Sequence, residues 1–327
     1  MCAAALLGAL GAMLGGCRAA PSTLDPHGPA ASRIATLWWA LLVTATAVVI
    51  VVTLLLLLAL VRRRGGDLGT RLRPGSDRFG HGLIVVAGLI VPGIVLIGVI
   101  VLTAHTLRAV GAPDAPGDVT VEVVGHDWWW EVRYPAEGVI TANEIHIPAG
   151  RSILVKVTSV DVIHSFWAPQ LHGKIDAIPG QMNSISLRAD APGTFRGQCA
   201  EYCGVQHAHM AFLVIAESPS SFAAWLEEQR RPPAALTGAP AAGRQVFERA
   251  ACVSCHAADE GGTRVGPDLT HLGSRRTLAA GVLPNTPENL SAWIRNPAAF
   301  KPGVNMPPSA LSQEEMDALT AYLGSLK

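Results

Sequence analysis

The chain is 327 residues long and carries 25 Lys and Arg against 25 Asp and Glu, so its formal net charge is zero. That balance excludes a strongly basic chain of the kind that binds nucleic acid through its overall charge. Hydrophobic residues make up 50% and mean hydropathy is +0.33, an excess concentrated in the first third, as in a chain that spans a membrane before continuing in water.

Residues 1–17 are apolar and end in Leu14-Gly15-Gly16-Cys17. They read as a lipoprotein-type signal segment whose Cys17 becomes the lipidated N-terminus, although no Lys or Arg precedes the apolar run. A Pro/Gly/Ala-rich linker follows over 18–33. Residues 34–61 and 82–107 contain no Asp, Glu, Lys or Arg, and each run exceeds the roughly 20 residues that span a bilayer. Pro92 lies inside the second run, where neighbouring helices can re-satisfy the carbonyl it frees. The loop between them, 62–81, holds Arg62, Arg63, Arg64, Arg71, Arg73 and Arg78 against Asp67 and Asp77. Such an excess marks the cytoplasmic side, which places everything after Leu107 outside.

Beyond a Pro/Gly linker the period changes from helical to alternating. Val119 to Val124, Glu144 to Pro148, Ser152 to Thr158 and Ser184 to Arg188 alternate apolar and polar residues, separated by turn formers such as Pro179-Gly180 and Pro192-Gly193. Short strands at near-regular spacing over 117–219 predict an antiparallel β-sandwich or barrel. A helix over Ser220–Arg231 and a Pro/Ala/Gly linker fill 220–242. The last segment, 243–327, is helical in outline, with Pro287 at a helix start and Ser312 and Glu315 at capping-box spacing.

Two clusters carry chemistry. The first is Cys199-Ala-Glu-Tyr-Cys203-Gly-Val-Gln-His207-Ala-His-Met210, joined from upstream by His164 in Asp161-Val-Ile-His-Ser-Phe-Trp. Thiolates, imidazoles and a thioether are soft ligands that select copper. On spacing alone a structural zinc site and a Cys199–Cys203 disulfide remain open. The second is Cys252-Val-Ser-Cys255-His256, the pattern of covalent c-type haem attachment, with His256 as proximal ligand. A methionine is expected on the distal side, and Met306 in Asn-Met-Pro-Pro is the candidate, whereas Met316 falls inside the final helix and reads as packing. Cys2 is left without a role.

Four stretches carry a resemblance: Gly125-His-Asp-Trp-Trp-Trp-Glu-Val-Arg-Tyr-Pro135, Asp161 to Pro169, Lys174 to Gly180, and Gly197 to Met210. From the membrane hairpin to about Glu217 the chain resembles subunit II of haem–copper cytochrome c oxidase, and about 90 residues from Gly238 resemble a class I cytochrome c. Together they resemble a caa-type subunit II. The resemblance implies a multi-domain membrane protein with a two-helix transmembrane hairpin, a cupredoxin-like antiparallel β-sandwich and an all-α class I cytochrome c domain. It implies a dinuclear copper centre, CuA, bridged by Cys199 and Cys203, with one imidazole each from His164 and His207. Met210 and the backbone carbonyl of Glu201 are the weak ligands, and the Glu201 carboxylate turns to a magnesium ion at the subunit I boundary. His209 stays outside the set. Trp128 inherits the role of electron input point. An alternating strand would put Trp128 and Trp130 on one face and Trp129 on the other. Pro267 offers its carbonyl to Nδ1–H of His256, and Phe247 and Tyr322 pack the first and last cytochrome helices together.

The function implied by the resemblance is electron input to a cytochrome-c oxidase: from a donor cytochrome or upstream respiratory complex to haem c, to CuA, and to haem a of subunit I, where oxygen becomes water. Proton translocation by the complex, subunits I and III as partners, and a bacterial inner-membrane location with both soluble domains periplasmic are implied with it. A nitric oxide reductase that borrowed a CuA subunit, or a non-enzymatic electron-transfer module, are the alternatives. One departure concerns the second membrane helix. The family carries a Glu seven residues before the helix proline, where this chain has Val85, and often a Trp four before it, where this chain has Gly88, so a proton path would have to start elsewhere, as at His81.

Overall fold

The computed structural model describes residues 21–64, 77–111, 119–232, 236–258 and 265–327. The leader with Cys2 and Cys17, and most of the Arg-rich loop with Arg71 and Arg73, lie outside them.

One unit is helical. Helix α1 spans Pro29–Arg64. Helix α2, Asp77–Val85, passes through a π-helical turn, Val86–Ile90, into α3, Val91–Gly111. Pro92 has no N–H to donate, and the widened turn just before it is where a helix adjusts to a missing rung. The helices outrun the apolar stretches at both ends, since α1 begins before residue 34 and α2 before residue 82. Backbone hydrogen bonding continues past the point where side chains become polar, so hydropathy underestimates helix length. Both remain long and apolar enough to cross a membrane, at 33 and 32 residues.

The other unit begins with a β-sandwich. Its strands are β1 (Thr120–His126), β2 (Trp129–Tyr134), β3 (Val139–Ala142), β4 (Glu144–Pro148), β5 (Ile153–Ser159), β6 (His164–Trp167), β7 (Ile175–Ala177), β8 (Asn183–Leu187), β9 (Gly193–Cys199) and β10 (Ala211–Glu217). They form two five-stranded sheets, ordered β3-β2-β1-β5-β8 and β4-β10-β9-β6-β7. The sandwich is the expected one, but its pairing is mixed: β1 runs parallel to β5 and β4 parallel to β10. Alternation reports that one face is buried and says nothing about strand direction.

The pattern explains the core. In β5 every second residue is buried, so Ile153, Val155 and Val157 meet Val121, Val123, Val132, Ile145 and Val214 from other strands. Trp130, fully buried, sits edge-on to Phe166 and Phe212 at centroid distances of 6.0 and 5.6 Å. Helix α4 (Pro219–Arg230) is capped by Ser218 and brings Phe222 and Trp225 onto Tyr134.

The cytochrome portion follows in the same unit: α5 (Ala239–Arg249), a two-residue ladder of β11 (Thr277–Leu278) with β12 (Leu283–Pro284), α6 (Pro287–Arg295) and α7 (Gln313–Ser325). Ser312 and Glu315 form the reciprocal capping box that their spacing predicts. Phe247 and Tyr322 meet edge to face at 5.7 Å where α5 crosses α7, and Met316 is fully buried in that core.

Candidate metal centre and haem crevice

The sulfur cluster sits at one end of the second sheet. His164 opens β6 and Cys199 closes β9, and the two strands are neighbours in register, Phe166 facing Cys199. The loop from Ala200 to Met210 is folded back by Cys199 N–H to the Met210 carbonyl at 2.9 Å, which returns Cys203, His207 and Met210 over the strand ends. The result is compact. Cys199 Sγ lies 3.7 Å from Cys203 Sγ and 3.9 Å from His164 Nδ1, and 3.2 Å from the Glu201 carbonyl. Cys203 Sγ lies 3.7 Å from His207 Nδ1 and 3.9 Å from Met210 Sδ. A disulfide needs about 2.05 Å between sulfurs, so these thiols are free. His209 instead pairs its Nδ1 with Gln206 Oε1 at 2.7 Å, outside the cluster.

Electrostatics favours deprotonated sulfur. The Cys199 thiol is held far below its usual range, chiefly by the hydrogen bond from Cys203, and Cys203 is pushed correspondingly up. Two sulfurs thus share one proton, which a cation would displace. Burial disfavours the His164 imidazolium, but Asp161 and Cys199 outweigh it and carry its pKa up to about 9. Asp161 Oδ1 is 2.8 Å from His164 Nε2, which leaves Nδ1 aimed at the sulfurs. At Gly125 any Cβ would lie 2.6 Å from the His164 ring, so only glycine lets β1 pass so close. Sequence reading missed Asp161 as an orienting group, although its place three residues before the histidine was a signal.

Trp128 precedes β2 and Trp129 begins it; Trp128 and Trp130 share the sandwich core while Trp129 joins a separate cluster. Trp128 Nε1 donates to the Cys203 carbonyl at 2.8 Å. Nearby, the buried Glu131 accepts from Arg133 Nε at 2.7 Å and faces His126 Nε2 at 3.1 Å, and His126 stacks on Trp129. Burial alone would raise the Glu131 carboxyl, but its partners hold it at about 2. Its pKa is thus depressed on folding. It contributes stability that is present above pH ~4.5 and lost as pH falls toward 2, on the order of 3 kcal/mol. Acid titration of Glu131→Gln, followed by near-UV circular dichroism, is expected to show a flatter stability profile across that window than wild type.

A cavity of about 410 Å³ lies between the sandwich and the cytochrome helices. Cys252, Cys255, His256 and Met306 line it from one side, and Trp128 and Trp129 from the other. His256 Nδ1 meets the Pro267 carbonyl at 2.8 Å, which leaves Nε2 as the ligating nitrogen. Burial pushes the His256 imidazole down, toward the neutral form an iron ligand needs. Gly266 packs so closely on this ring that a Cβ would fall 2.6 Å from it. Arg275, buried at the cavity, donates to the Asp268 carbonyl, but its Nε has no partner among the described residues. A buried cation with a spare donor fits a group with an anionic edge, as a haem's propionates provide. No motif in the chain singles out Arg275, which one fold alone carries to the crevice.

The family model for the periplasmic domain of cytochrome c oxidase subunit II matches residues 136–217, and that for cytochrome c matches 240–327. Cytochrome c oxidase subunit 2 of Alkalihalophilus pseudofirmus is 41% identical over 272 residues, covering 79% of this chain and 78% of that protein. The chain belongs to the cytochrome c oxidase subunit II family. The subunit 2 of Bacillus sp. PS3 is 35% identical over 224 residues, 64% of this chain and 62% of its own length. A crystal structure of the periplasmic domain of subunit II from Bradyrhizobium japonicum shares 33% identity, covering 36% of this chain and 96% of that one, with a TM-score of 0.35. As a subunit II with a cytochrome c domain, the chain carries electrons into the haem–copper oxidase complex, with copper and haem c as its redox groups. Its two apolar helices are of membrane-spanning length, and residues 136–217 match a family of periplasmic domains.

Proposed function

We propose that electrons cross this chain from a haem c held by Cys252, Cys255 and His256 to a copper pair held by Cys199 and Cys203, by way of Trp128. Haem iron and paired copper each supply a one-electron store whose bond lengths change little on reduction. The chain's residues do the rest. The observation that carries the reading is the position of Trp128: it lines the cavity with the haem-attachment cysteines and donates its indole N–H to the Cys203 carbonyl. His164 and His207 would cap the two ends of the sulfur pair, and the buried thioether of Met210 and the Glu201 carbonyl would be the weak donors. Met306 would face His256 across the cavity, with Pro267 fixing the histidine and Arg275 holding a propionate. The Glu201 carboxylate, half exposed beside Lys174 at 3.7 Å, would turn to a magnesium ion at the boundary with subunit I.

Subunits I and III of the oxidase are the expected partners. The acceptor is haem a of subunit I, and the donor is a cytochrome or an upstream complex on the periplasmic face of a bacterial inner membrane. Neither a nitric oxide reductase nor a free-standing electron-transfer module is favoured by the relatives. Met210→Leu tests the site: the near-infrared copper band of the purified complex is expected to shift while the haem spectrum stays constant. An unmoved copper band would remove Met210 from the ligand set.

A further inference from the structure

The copper and haem domains meet through polar contacts that no cofactor role explains. From the sandwich, Glu144 is 2% exposed, and its Oε1 accepts from the backbone N–H groups of Arg276 at 2.7 Å and Thr277 at 3.0 Å. From the cytochrome, Lys301 is likewise 2% exposed, and its Nζ donates to the Trp128 carbonyl at 2.8 Å and the Ala279 carbonyl at 3.3 Å. Between them Ala211 N–H donates to the Ala280 carbonyl at 3.0 Å, and Ala280 is buried with Trp129 and Ala142. Gln206 adds a bond to the Pro302 carbonyl. Each domain therefore sends one buried ionisable side chain into the other's backbone.

Burying a charge is costly unless it is well bonded, and an apolar boundary would serve adhesion alone at less cost. Burial pulls the Lys301 ammonium down to about 7, and both of its hydrogen-bond acceptors are carbonyls. What such contacts supply is position. Carbonyls and N–H groups accept a partner only over a narrow range of distance and angle. The lysine bonds the very residue, Trp128, whose indole reaches Cys203.

We propose that Glu144 and Lys301 form a reciprocal clamp that holds the haem crevice closed over Trp128, making the chain's own cytochrome the standing donor to its copper domain. Trp128 is 9% exposed behind this clamp, so a mobile carrier reaches the chain at the cytochrome and not at the tryptophan. Both are positioning residues. The inference rests on the reading that Cys252, Cys255 and His256 hold the haem and that Trp128 leads to the copper.

The test uses the purified oxidase containing the full chain with both cofactors. Glu144→Ala leaves the N–H groups of Arg276 and Thr277 without their carboxylate acceptor, and Lys301→Met leaves two carbonyls without a donor. In either variant, hydrogen exchange at the Ala211 amide is expected to rise by about tenfold or more, the opening expected from one lost buried bond. Oxidation of photoreduced haem c by the copper centre is expected to slow, with both absorption spectra unchanged. Glu144→Gln and Lys301→Arg, which keep an acceptor and a donor, are expected to recover most of both readouts. Wild-type exchange at Ala211 or a wild-type transfer rate in Glu144→Ala overturns the clamp. So does slower exchange in Lys301→Met, which would mean that relief of buried charge outweighs the lost bonds. Absence of copper reduction by haem c in the wild type would instead sink the underlying electron route, so the two failures are distinguishable.

Discussion

Cys199→Ser is expected to abolish both the copper signature and oxygen consumption of the complex, while the haem spectrum of the same chain survives. The argument is chemical. A serine hydroxyl is a hard donor that stays protonated at neutral pH, whereas the cysteine it replaces is held as a thiolate between His164 and Cys203. The remaining sulfur has no partner with which to bridge two metals. Cys203→Ser should give the same result. Asp161→Asn makes a graded contrast, because it weakens the hydrogen bond that orients His164 without removing a ligand. Loss of such an outer partner lowers metal affinity by roughly 10–100-fold. Copper content per chain after dialysis against a competing chelator would rank the three variants. Full copper retention by Cys199→Ser would remove Cys199 from the centre.

The second large effect is expected in the cytochrome portion. Replacing Cys252 and Cys255 together by Ser removes both covalent tethers, leaving haem held only by His256, Met306 and packing, and free to be lost. Helices α5 and α7 and the loop with Met306 line the cavity of about 410 Å³, so without haem their apolar side chains lose a packing partner and face water. The haem-free cytochrome portion should therefore lose its fixed tertiary packing while the sandwich keeps its copper. Amide protection over 239–327 is expected to collapse, with protection in β5 and β10 retained. Unchanged protection in the α5 and α7 amides would mean that haem is not a structural element here.

Much of the fold is legible in the chain because local rules decide it. The apolar runs give α1 and α3, alternation gives β4 and β5, and Ser312 with Glu315 gives the start of α7. Strands β2, β6 and β9 are not visible this way, since Trp-Trp-Glu-Val, His-Ser-Phe-Trp and Gly-Thr-Phe-Arg are buried on both sides or broken by glycine. The cysteine and histidine motifs name their ligands directly, because metal and haem attachment demand fixed residue types at short spacing. Glu144, Arg275 and Lys301 carry no such mark. Glu144 and Arg276 are 132 positions apart, and Trp128 and Lys301 are 173 apart. Contacts of that separation exist only once both domains have folded, so no local pattern encodes them.

The most direct test is electron paramagnetic resonance of the oxidised complex, with metal analysis of the same sample. A copper pair between the sulfurs of Cys199 and Cys203 predicts one unpaired electron coupled equally to both copper nuclei, and one haem iron per chain. A signal from a single isolated copper, zinc in place of copper, or a sulfur–sulfur bond in the mature chain would contradict it.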